Sequence, residues 1–231
     1  MKKSLVIISL FLLTGCIENF KFGDSKTEEN KTKKITETTT DEVSSIPEYT
    51  DSIEEVEYEG KQLEVKSYLD SYLGELQTLN TDGIIEMTYP KLFIPINKNI
   101  FRNYINTLLT SKHIHVQSFD TKIINIGDIS AYSNGEFAQV EYYSIITLEF
   151  INPDLYKDEL SIRVLNSVLT NKYGQENISI NPEQRSITIK KLEKLLAIKD
   201  QEDGEWKFIG DNQEYRRLYP RILPLDILSQ I

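Results

Sequence analysis

The sequence predicts an α+β fold, on three observations. Apolar residues recur at helical spacing between residues 62 and 110. From residue 115 the pattern changes to the alternation of strands. Everything before about residue 60 is polar and low in complexity. Helices first, then a meander of long strands, is an α+β plan. The arrangement it suggests is N-terminal helices packed on one strongly bent antiparallel sheet.

The first helix is expected near Gln62 to Leu79, with Val65, Leu69, Tyr72, Leu73, Leu76 and Leu79 on one stripe. Asn80-Thr81-Asp82 breaks the chain, and Thr81 is the expected N-cap of a short helix containing Ile84, Ile85 and Met87. Pro90 ends it, because proline lacks the amide hydrogen the helix ladder needs. A third helix follows near Lys98 to Thr110. Strands are expected from His115 to Ile126 and, after the hairpin signal Asn134-Gly135, along Ala138 to Phe150. In the second of these, Ala138, Val140, Tyr142, Ile146, Leu148 and Phe150 alternate with Gln139, Glu141, Tyr143, Thr147 and Glu149, so one face is buried. A fourth helix, Asp158 to Tyr173, stops at Gly174, where a helix-ending glycine belongs. A short strand at 177–180 and a turn at Asn181-Pro182 lead into a long strand, Arg185 to Lys199. Within it Ile187 and Ile189 share one parity and Leu192, Leu196 and Ile198 the other, which predicts a β-bulge near Lys190-Lys191. Glu202-Asp203-Gly204 turns the chain into a last strand, Glu205 to Ile209. A terminal helix at Leu225 to Leu228 is expected to pack back on the domain.

The N-terminus carries a short secretory signal. Lys2 and Lys3 precede an apolar run, Leu5 to Leu13, of about nine residues, too short to span a bilayer. Leu13-Thr14-Gly15-Cys16 resembles the bacterial lipobox. The resemblance implies a signal peptide over 1–15, diacylation of the Cys16 thiol and a lipid-anchored mature protein in the cell envelope. Ile17, not aspartate, follows Cys16, which favours the outer membrane if the cell is Gram-negative. Cys16 is the only cysteine, so the mature chain has neither a disulfide nor a cysteine nucleophile.

Residues 16–59 read as the lipidated end followed by a disordered acidic tether. Residues 17–59 hold 13 acids against 5 bases, a net of −8 in a chain of −10. Such a segment cannot bury enough apolar surface to offset the entropy of ordering, and its root-mean-square span is about 35–40 Å. Asp51-Ser52-Ile53 resembles an envelope O-glycosylation motif at Ser52. Asn177-Ile178-Ser179 fits the N-glycosylation pattern. Residues 60–231 remain as one domain of sufficient size for its own core. No basic cluster suggests nucleic acid.

Three stretches carry a family resemblance: Tyr89-Pro90-Lys91-Leu92-Phe93; Tyr173-Gly174 with Glu176-Asn177-Ile178; and Ala197-Ile198-Lys199-Asp200 running to Trp206-Lys207-Phe208-Ile209. With the order of elements, they make residues 61–231 similar to the NTF2-like (cystatin-like, SnoaL-like) superfamily. The resemblance implies a cone-shaped sheet with an apolar pocket, often dimerising through the sheet's outer face, and it implies no single reaction.

Enzymes of that fold use a carboxylate base and a hydrogen-bond donor inside the cone. Asp120 and Glu141 are the candidate bases here, and Tyr132, Tyr142 and Tyr143 the candidate ligand-binding donors. Asp120 and Glu141 fit solvent faces of strands equally well, and Tyr142 lies on the apolar parity. His113 and His115 share a side if extended, but no third ligand accompanies them, so no metal site is expected. The acids of Asp200 to Asp203 read as a hairpin turn. No glycine-rich phosphate loop or nucleophile elbow is present, and no cofactor is implied. The leading reading is a membrane-anchored, non-catalytic module that binds a small apolar ligand or another envelope protein, with a homodimer as a further expectation. The alternatives are an isomerase- or dehydratase-like enzyme and a structural envelope subunit.

Overall fold

A computed structural model describes residues 56–151 and 158–231. Cys16, the lipobox, Ser52 and residues 17–55 of the expected tether lie outside the described residues. The fold is α+β, with a six-stranded antiparallel sheet and several helices among the described residues.

Helix α1 (Gly60–Gln77) buries Val65, Leu69, Tyr72, Leu73 and Leu76, the stripe its spacing predicts. Tyr58, just before it, already packs against the core. Helix α2 (Thr81–Met87) is entered through Asn80, in extended conformation, one residue before the expected cap. The Thr81 hydroxyl instead donates to Asn106 Oδ1 (2.9 Å), on α3 (Lys98–Leu109). A 3-10 turn, Pro90–Phe93, joins the two.

The strands are β1 (Ile114–Ile126), β2 (Ser130–Tyr132), β3 (Gly135–Phe150), β4 (Ile178–Asn181), β5 (Ser186–Asp200) and β6 (Lys207–Gly210), with α4 (Glu159–Tyr173) between β3 and β4. Their order is β1-β3-β5-β4, with β2 on β3 and β6 on β5. Asp158 caps α4 by accepting from the Ser161 amide (2.7 Å), and Gly174, at φ 86°, ends it. Gly135 is required at the hairpin because a Cβ there would lie 2.0 Å from the Lys199 carbonyl oxygen.

The expected bulge in β5 is absent. β3 and β5 pair without interruption from Gly135↔Asp200 to Glu149↔Ser186. The register shifts occur between β1 and β3, at Val116/Ser118 and Ile123/Asn125. Both faces of β5 are covered, and that accounts for its mixed parity. On one face Ile187 and Ile189 pack with Leu148 and with Leu169 of α4, while further along Phe208, opposite Ala197, stacks on Tyr72 of α1 at 4.9 Å. On the other face Leu196 and Ile198 join Phe137 and Ile209 in the core that holds the C-terminal Leu218, Tyr219, Ile222, Leu223 and Ile227. Those last residues belong to three short helical turns, α5 (Gln213–Arg216), α6 (Tyr219–Ile222) and α7 (Leu225–Leu228), and their flanks. The sheet thus has a helix face, under α1 and α4, and a tail face.

Candidate functional site

Two apolar clusters sit on the helix face, one under α1 and one under α4, and the half-buried Val116 and Ile146 pack against both. Cross-strand partners share a face. Between the clusters run two rows of such partners, Thr121–Ser144–Lys191 and Ile123–Tyr142–Glu193. This polar band, with apolar residues of the two clusters on either side of it, is the candidate site.

Glu193 is 6% exposed, and its Oε1 lies 2.8 Å from Lys191 Nζ, whose side chain keeps 31% exposure. Ser144 is buried beside them. Gln77, at the end of α1, donates to Thr121 Oγ1 (2.9 Å). Tyr142 is wholly buried, and its phenol is pushed well above the ordinary tyrosine value by burial first, then by the charge of Glu193. A carboxylate, an ammonium and two hydroxyls beside the half-buried aliphatics Val116, Ile123 and Ile146 can hold the polar end of a mostly apolar molecule.

The residues singled out by sequence are not brought together. Asp120 is exposed, opposite Ile145. Glu141 is paired with Lys194 (2.6 Å). By strand parity both lie on the tail face, as does the half-buried Tyr143, away from the band. Tyr142 alone belongs to it. Tyr132 lies at the end of the sheet, where its hydroxyl donates to the buried Asp200. His115 is exposed, with Nδ1 3.9 Å from Glu149 Oε2, and among the described residues no three His, Cys, Asp or Glu are grouped to hold a metal. The Asn177 side-chain nitrogen donates to the Tyr173 carbonyl (2.7 Å).

Asp200 anchors a second polar cluster. It is 7% exposed, accepts from Tyr132 and lies 3.1 Å from Lys91 Nζ. On the neighbouring residue, Lys199 reaches Glu64 of α1 (2.6 Å) and stands 5.9 Å from the ring centre of the buried Trp206. These contacts tie the 3-10 turn, α1 and the ends of β2 and β5 together. Sequence reading missed Glu193, Lys191 and Asp200. Glu193 becomes visible if the odd positions Ile187, Ile189, Leu195 and Ala197 are taken as one unbroken face.

These buried phenols make a testable prediction. Tyr142, Tyr132 and Tyr219 are all raised, by burial first and then by Glu193, Asp200 and Asp211 respectively. A raised folded-state pKa stabilises fully below the unfolded value, about pH 10 for tyrosine, and that contribution is lost as pH rises towards the folded value. Tyrosinate absorbance should therefore rise in two phases above about pH 10, the later one coinciding with loss of the circular-dichroism signal. A single non-cooperative phase for all 13 tyrosines would contradict it.

No protein-family model matches the chain, and no curated protein does.

Proposed function

We propose that the chain is a lipid-anchored protein of the bacterial cell envelope, held in the outer membrane where the cell is Gram-negative. Its folded part would be an NTF2-like, non-catalytic binding module that takes a small, mostly apolar ligand with a polar end. Leu13-Thr14-Gly15-Cys16 supports the anchor. The order of elements and the three stretches quoted above support the NTF2-like cone. The observation that carries the binding role is the Lys191–Glu193 pair set between two apolar clusters on one sheet face. Val116 and Ile146 would meet the apolar body of the ligand, and Lys191 and Glu193 its polar end.

The test is mass spectrometry of the intact protein released gently from its native membrane. A co-purifying small molecule is expected, and Ile146→Trp, which fills the band, should lose it while melting normally. If wild type and Ile146→Trp both come off empty and are equally stable, the ligand role is wrong and the structural-subunit reading gains. Cys16→Ser should abolish fatty-acid labelling and release the protein from membranes.

The enzyme reading would now rest on Glu193, the carboxylate enclosed beside Tyr142, in place of Asp120 or Glu141. The same assay separates it. In a non-catalytic binder Glu193→Gln lowers how much ligand is held but not which ligand, whereas an isomerase or dehydratase would accumulate substrate in place of product.

A further inference from the structure

Helix α4 is apolar on two sides and covered on one. Of its 15 residues only Leu169 is fully buried, with Leu165 and Tyr173 packed partly on the same cluster. Leu160, Val164 and Val168, spaced four apart, form a stripe turned well away from Leu169 and are 68%, 56% and 37% exposed. A helix of this length is marginal in water by itself and owes its stability to packing.

We infer that this stripe pairs with α4 of a second copy, antiparallel, about a two-fold axis passing by Val164. This rests on the lipid-anchor part of the proposed function. Two observations favour a second copy over a lipid surface, and the size of the stripe sets the strength of the contact. First, charge: Asp158 and Glu159 lie at the start of α4 and Lys172 at its end, with Arg163 paired to Glu159. That leaves no excess of bases such as interfacial helices carry, but it is self-complementary, because antiparallel pairing sets the acidic start of one helix near Lys172 of the other and opposes their dipoles.

Second, the chain enters at the far end. The first turn of α1 bonds Glu136 and Lys199, whereas α4 packs against Leu148 and Ile187. From Ile187 to Lys199 along β5 is about 40 Å at strand rise. Exposed Glu57, Glu59, Glu202 and Asp203 crowd the entry end, so the tether joins the domain at the end opposite α4. A two-fold axis normal to the membrane then brings two α4 helices together while both anchors stay in one leaflet. As to size, three exposed side chains fall well short of the roughly 800 Å² per partner of a stable interface. The contact is therefore weak in solution and depends on confinement to the membrane.

The experiment uses the full lipidated chain in native membrane vesicles. Acylation occupies the Cys16 thiol, so in Val164→Cys the new residue is the one free thiol, on the two-fold axis and facing its own copy. Mild oxidation should link Val164→Cys into dimers at least about tenfold faster than Lys190→Cys, an exposed control on the tail face. Adding Leu160→Asp, or Leu160→Lys, should remove the difference; Leu160 is 68% exposed, so both variants are expected to fold, which circular dichroism checks. Three results overturn the inference: Val164→Cys remains monomeric in membranes that still hold the acylated protein, it links to a different protein, or it is shielded from a water-soluble thiol reagent as a monomer. Loss of acylation or of membrane retention would instead count against the anchor, a separate readout from the cross-link.

Discussion

Phe208→Ala is expected to lower stability by about 3–5 kcal/mol, the range for a large aromatic removed from a core. Phe208 is 0% exposed. It lies on the helix face opposite Ala197, where a small residue across the ladder leaves room for a large ring, and it stacks on Tyr72 at 4.9 Å with 19° between the rings. Its loss removes buried area and an aromatic pair worth about 0.5–1.5 kcal/mol beyond that area. It also opens a void beneath α1 that β5, paired on one side of β6, and Thr88, bridged on the other, cannot close. Phe208→Leu keeps most of the volume and should cost about 1.5 kcal/mol or less. For a domain of this size the alanine variant should melt about 6–20 °C lower. Calorimetry and urea unfolding check both variants. A cost for alanine below about 1 kcal/mol would mean that the site collapses, and that α1 is not held by this stack.

The four longer helices and the last short one are legible because each has a local signal, whereas α5 (Gln213–Arg216) and α6 (Tyr219–Ile222) are not foreseen. The Val65 to Leu76 stripe, the Asp158 cap and Gly174 all act within a few residues of where they stand, and Leu225–Leu228 forms the terminal helix at the expected positions. What was not legible depends on cover supplied from far along the chain. β5 changes parity because α1 and α4 cover one of its faces and the C-terminal turns the other. Alternation alone offers a bulge as the simpler account, and assuming that bulge puts Glu193 on the solvent side. Without it, Glu193 falls between two apolar clusters. Asp200 was hidden in the same way: a run of acids before Gly204 has the composition of a turn, while the partners that bury Asp200 stand at Lys91 and Tyr132. Glu141 has the chemistry of a base, but its parity, opposite to Tyr142, points it to the tail face.

The start of the C-terminal tail is anchored by the Asp211 carboxylate, and its end by Asp226, which accepts from the Ser133 amide (2.6 Å); Asp211→Ala is expected to cost about 2–4 kcal/mol. The Asp211 side chain is 1% exposed. It accepts from Arg216 Nε (2.6 Å) and Nη2 (3.0 Å), from the Tyr219 hydroxyl (3.2 Å) and from Gln139 (3.2 Å). Gln139 is on β3, so this carboxylate ties the tail to the sheet as well as to itself. The cost stays below that of a fully buried ion pair because Arg216, half exposed, can turn to water, and Tyr219 keeps its bond to the Gly210 carbonyl (2.7 Å). Asp211→Asn preserves shape and one acceptor and should lose roughly half as much. The loss should be local first. Trypsin sites at Arg216, Arg217 and Arg221 should open before Lys122 in β1 or the lysines of β5, because only the tail depends on this anchor. Peeling it back uncovers Phe137, Leu196, Ile198 and Ile209, an apolar patch on the tail face of the sheet. The variant should therefore self-associate as it loosens, which sedimentation detects. If the tail stays resistant to trypsin and stability changes by less than about 0.5 kcal/mol, then packing of Tyr219, Ile222 and Ile227 holds the tail without Asp211.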